Sequence, residues 1–140
     1  MKLKHLAVLL ALSTIAADCP FGDSSNSTGT DASAVVGSWT LQSVNGDPLP
    51  ASFDDNGNTV QITAGSATIN ANNTFTYSET WDGSQDVTNG TWAKDGNTYV
   101  FTPNAVVGEV QVPGYVTVSG NTMTLTVNDG GTIVRILARN

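Results

Sequence analysis

The stretch NTFTY, residues 73–77, returns as NTYVF at 97–101 and as NTMTL at 121–125, a spacing of 24 residues each time. After each Asn-Thr pair, the second and fourth positions beyond the Asn are apolar: Phe75 and Tyr77, Tyr99 and Phe101, Met123 and Leu125. Period-two alternation of this kind describes a strand with one face in a core and one in water. Twenty-four residues hold one ascending strand, one descending strand and two tight turns, so the repeat predicts an up-and-down antiparallel meander and not a Greek key. A meander this regular closes on itself, which removes its exposed edges.

The chain around the repeat agrees. Turn signals such as NGDP, DDNGN, NANN, KDGN, VSGN and NDGG recur about every ten residues, separated by short runs rich in Thr, Val, Ile and aromatics. The expected inward face collects Trp39, Leu41, Val60, Ile62, Ile69, Phe75, Tyr77, Trp92, Tyr99, Phe101, Val116, Val118, Met123, Leu125 and Val127. The opposite face is rich in Thr and Asn. Beyond the amino-terminal segment no helical period is present. The fold class is therefore all-β, an antiparallel meander closing into a barrel of eight to nine strands over residues 36–140. A two-residue loop at Asp95-Gly96 would set Trp92 opposite Tyr99 and Gly90 opposite Phe101. At the last hairpin, a two- or four-residue loop would turn both arginines outward. A three-residue loop, Asp129-Gly130-Gly131, would turn Ile133, Arg135 and Leu137 inward.

The amino terminus has a different organisation. A basic start, MKLKH, leads into the apolar run LAVLLALSTI at residues 6–15. This is the layout of a secretory signal peptide, residues 1–18. Cys19, the only cysteine, follows directly, and the segment resembles a bacterial lipoprotein signal in which that cysteine carries the lipid. Ala16 and Ala17 fit the pattern, and Asp18 departs from it. Residues 19–35, polar and unpatterned, read as a flexible tether. The expected location is the cell envelope after export, anchored by lipid to the outer membrane or cell surface, with no other membrane contact.

Charge and residue inventory narrow the chemistry. The chain carries 12 acidic and 5 basic residues, a net charge of −7, and beyond residue 18 only Lys94, Arg135 and Arg139 are basic. Nucleic acid is disfavoured as a partner. The single histidine, His5, lies in the signal, so the exported part has no imidazole base or metal ligand. No GxSxG elbow occurs. Asp54-Asp55 and Asp82/Asp86 sit in turn sequences, where Asp serves turn geometry, and neither loop has EF-hand spacing. No catalytic residue, cofactor or metal is expected, and the reading is that of a non-enzyme.

The segment GSWTLQSVNG at 37–46 resembles the first strand of the lipocalin family, whose opening motif is Gly-x-Trp, here Gly37-Ser38-Trp39. The region as a whole resembles the short lipocalin-like domains of exported bacterial proteins. Another exported β-domain opens with a similar W-x-L-x-S-x-N-G, but its expected glycine–cysteine–asparagine segment is absent. Also absent are the family's Thr-Asp-x-Tyr motif, carboxy-terminal helix and disulfides. The resemblance implies that Trp39 closes one barrel end beneath an arginine near the chain's end, Arg135 or Arg139. Glycine in the last loop favours Arg135. An eight-stranded barrel has room for side chains or one small ligand, so the expected protein is a monomer that binds or carries a small hydrophobic molecule, lined by Phe75, Tyr77, Trp92, Tyr99, Phe101, Met123 and Leu125. The alternative is a barrel filled by these rings, serving as a scaffold for protein contacts around the apolar stretch NAVVGEVQVPGY at 104–115.

Overall fold

The computed structural model describes residues 34–55 and 57–140. The signal segment, Cys19 and all but the end of the tether lie outside the described residues. Val35, assigned to the tether from sequence, is wholly buried, so the packed domain begins one residue before position 36.

Among the described residues ten strands follow in order: β1 (Gly37–Val44), β2 (Asp47–Pro48), β3 (Ala51–Asp55), β4 (Asn58–Ile69), β5 (Thr74–Trp81), β6 (Ser84–Asp95), β7 (Thr98–Pro103), β8 (Gly114–Ser119), β9 (Thr122–Asn128) and β10 (Thr132–Arg139). From β4 to β10 each strand pairs antiparallel with the next. β1 pairs with β10 on one side and with β4 on the other, which closes an eight-stranded up-and-down barrel. β2 and β3 are additions outside this ring, β2 on the end of β1 and β3 on the first half of β4.

The Asn-Thr repeat marks strand starts as expected, since Thr74, Thr98 and Thr122 open β5, β7 and β9. One register differs. The β6–β7 loop is Gly96-Asn97, with Asp95 opposite Thr98, Trp92 opposite Phe101 and Gly90 opposite Pro103. Gly96 takes the first turn position, where φ is +58°, and Gly120 does the same at the equivalent β8–β9 turn with φ of +57°. The slip moves partners without exchanging faces, so Trp92, Tyr99 and Phe101 all remain buried.

The core fills one half of the barrel more tightly than the other. Trp39, Ile62, Tyr99, Val116, Met123 and Leu137 are essentially inaccessible. A bulge between Leu41 and Ser43 adds a residue to β1, so that Val44 as well as Leu41 faces inward. Phe75 and Phe101 lie with ring centroids 4.8 Å apart. Gly90 on β6 is the gap into which Phe75 fits: a Cβ there would collide with the Thr102 carbonyl oxygen and come within 2.6 Å of the Phe75 ring. Replacement by Ala therefore overpacks the barrel wall.

Gly90→Ala is expected to destabilise the domain by about 3 kcal/mol in urea unfolding. Gly131→Ala, whose Cβ would meet nothing within 4 Å, is expected to stay within about 0.5 kcal/mol of the native chain. Equal stabilities for the two variants would contradict the packing of Phe75 over Gly90.

Candidate functional site

The two barrel ends differ in chemistry. One end is sealed around Trp39. Its indole Nε1 donates to the Val35 carbonyl at 2.9 Å, and the Arg139 guanidinium lies over its ring, 4.3 Å from the centroid. Arg139 is itself held by Nη1 donating to Val36 O at 2.8 Å and Nη2 to Ala34 O. The chain leading into β1 is thus clamped to the end of β10, and Trp39 pairs directly with Arg139 in the strand register.

The closing arginine is therefore Arg139 and not Arg135. The last hairpin does have the three-residue loop, with Asn128 opposite Thr132 and Gly130 at φ of +64°, and Arg135 does point inward. Arg139 shares that parity. What separates the two is position along the strand. In an antiparallel pair the last residues of β10 meet the first of β1, so Arg135 comes opposite Val44, toward the other end.

The sealed end also takes Trp92 and Tyr99, edge to face with centroids 5.8 Å apart. Trp92 Nε1 donates to Asn70 O at 3.0 Å. These two rings, expected from sequence to line a ligand site, are packing of the closed end and stand outside the cavity wall. The other five expected residues, Phe75, Tyr77, Phe101, Met123 and Leu125, do line a cavity of about 290 Å³ in the opposite half. Val127 and Ile133 extend its apolar wall, and the exposed Asp86 and Asp129 stand at its mouth.

Inside that cavity lies a polar cluster. Arg135 donates through Nε to Glu79 Oε1 at 2.6 Å and through Nη2 to Oε2 at 2.9 Å, a two-pronged ion pair. The Tyr77 hydroxyl donates to Glu79 Oε1, and Trp81 Nε1 donates to Oε2 at 3.1 Å. Glu79 and Arg135 retain only 4% and 6% of their exposure. Taking two charges from water costs several kcal/mol per ion, and here four hydrogen bonds on one carboxylate offset it. Phe53, carried by β3, packs edge-on against Trp81 at 5.5 Å and holds that indole over the cluster.

Glu79 was legible in principle. On β5 the residues at 75, 77, 79 and 81 alternate onto one face, so a Glu between Tyr77 and Trp81 was already an inward charge in need of a partner. Electrostatics follow from this packing. Burial, with the adjacent Glu79, raises the Tyr77 phenol well above its ordinary value. Burial alone would lower Arg135, but the hydrogen bonds and charge of Glu79, helped by Tyr77, hold it above the ordinary guanidinium value. Among the described residues no three His, Cys, Asp or Glu side chains come together as a metal site.

Removing one member of the pair should cost far more than removing both. Glu79→Leu or Arg135→Met alone is expected to destabilise by about 3–5 kcal/mol, while the double variant should be at least as stable as the native chain. Chemical unfolding of the four proteins reads this directly, and additive costs would refute the coupling. Tyr77 supplies a pH signature. The fold keeps its phenol protonated, whereas the unfolded chain ionises it near pH 10. Its contribution is complete below that pH and is lost above it, by at most about 1.4 kcal/mol per pH unit. Tyr77→Phe should flatten the alkaline fall in stability, and an unchanged slope would refute the assignment.

A family model described as a lipocalin-like domain matches residues 35–125. No curated protein matches the chain, and no solved structure does. The match spans most of the barrel, from the buried Val35 through β1 and its Trp39 into β9. The chain belongs to the lipocalin-like domain family.

Proposed function

We propose that this domain is a non-catalytic binding module that holds one small, largely apolar molecule in the open half of its barrel. In this reading the protein is exported and displayed as a monomer from the cell envelope on a lipid at Cys19. The observation that carries the binding reading is the cavity: about 290 Å³ remain unfilled among Phe75, Tyr77, Phe101, Met123 and Leu125. Barrel interiors of this size are normally filled by side chains, and this space, open at its mouth, leaves apolar walls without packing partners. The volume is at the small end of ligand pockets. It suits a compact one- or two-ring molecule better than a long acyl chain.

A second reading, a scaffold for protein contacts, draws its support from Val106, Val107 and Val110, which stand exposed between β7 and β8, and from the exposed Tyr115 on β8. The two readings make different demands on the interior. Only the binder needs the cavity.

N-phenyl-1-naphthylamine, a neutral two-ring fluorophore, is expected to brighten on titration with the native domain and to raise its Tm. Val127→Trp, which fills the cavity from the half-buried wall near its mouth, should weaken that binding at least tenfold with the fold intact by circular dichroism. Absence of binding to the native domain would overturn the reading. Mass spectrometry of the mature amino terminus tests the anchor: an acylated Cys19 is expected, and an unmodified terminus beyond it would remove the claim.

A further inference from the structure

The cavity contains an imbalance of donors and acceptors that specifies the chemistry of its occupant. Glu79 is saturated. A carboxylate offers about four lone-pair sites, and all are taken, two by Arg135, one by Tyr77 and one by Trp81. Arg135 is not saturated. A guanidinium has five N–H groups, of which two go to Glu79. Even if the neighbouring Tyr77 oxygen accepts another, two N–H groups remain, and no other described residue accepts from Arg135. Arg135 lines the cavity, and its remaining N–H groups are the donors it can offer there.

The charge count bears on the same question. Glu79 and Arg135 cancel one another, and the exposed carboxylates of Asp86 and Asp129 stand at the mouth. Beyond residue 18 the chain has 11 acidic against 3 basic residues, and Arg139 is engaged with Trp39 at the far end. The field at the cavity is thus neutral to negative, which works against an anion. A donor-rich pocket without positive charge selects a neutral acceptor.

Resting on the binding reading above, we infer that the occupant is an uncharged, mainly apolar molecule carrying a hydrogen-bond acceptor, such as a ketone or ester carbonyl, which accepts from the unspent Arg135 N–H groups. Glu79 acts as a positioning residue. It fixes the guanidinium plane and cancels its charge without touching the ligand, and Tyr77 and Trp81 fix Glu79 in turn. A pocket with unsatisfied donors discriminates strongly against an analogue of equal size that lacks the acceptor.

The test uses three probes of nearly the same shape: 2-acetylnaphthalene, 2-isopropenylnaphthalene and the 2-naphthoate anion. They are compared at pH 7 by calorimetric titration with the protein in the syringe. The ketone is expected to bind about tenfold more tightly than either the hydrocarbon or the anion. In the Glu79→Leu/Arg135→Met double variant, checked for fold by circular dichroism and thermal melting, the hydrocarbon should overtake the ketone. Tightest binding of naphthoate would overturn the inference in favour of an anion site. Equal binding of ketone and hydrocarbon, or a preference unchanged in the double variant, would overturn it while the binding reading stands. No binding of any probe, nor of N-phenyl-1-naphthylamine, would overturn both.

Discussion

The structure depends on β1 being paired along both edges. A meander from β4 to β10 would end in two open edges, each a row of unpaired amides and carbonyls. β1 satisfies both, meeting β4 through Gly37–Thr40 and β10 through Trp39–Val44. Closure puts every inward side chain into one enclosed space. It also places Trp39 where three supports converge: the Val35 carbonyl, the Arg139 guanidinium and the packed start of the barrel. The seal at that end leaves the other free to open.

An eight-stranded barrel has an interior that side chains can just fill, or that can hold one small ligand. This protein divides the space. Around Trp39, Trp92 and Tyr99 the interior is solid, and each indole Nε1 finds a backbone carbonyl. Toward the mouth, beyond Phe75 and Phe101, Tyr77 and Trp81 turn their polar atoms to Glu79, and a buried ion pair stands where aliphatic residues would pack at lower cost. Such a pair is weak evidence for stability. It does place several rigid donors at the edge of a void, with orientations set by Tyr77, Trp81 and the supporting Phe53.

Much of this was legible in the sequence because strand parity is a local property. The 24-residue repeat announced three hairpins, and alternation assigned Phe75, Tyr77, Phe101, Met123 and Leu125 to the interior that they occupy. Trp92 and Tyr99 had the correct face but the wrong height. Parity says which side of a sheet a residue takes and not how far along the barrel it lies. The same limit misassigned the closing arginine, since Arg135 and Arg139 share a face but lie opposite different ends of β1, Arg139 at Trp39 and Arg135 at Val44.

By itself, then, the sequence determined the strand spacing and the inward face, which follow from period-two alternation, and the places of the turns, which follow from the φ preferences of Gly and Asn. The closing tryptophan came from the resemblance of Gly37-Ser38-Trp39 to the family's opening motif. Tertiary structure alone decided what depends on distances across the barrel. Glu79 and Arg135 are 56 residues apart and meet only because closure brings β5 and β10 across a shared interior. The cavity is likewise a difference between the volume of the closed barrel and the side chains inside it. No local pattern encodes that difference, so the site emerges only when the ring of strands is complete.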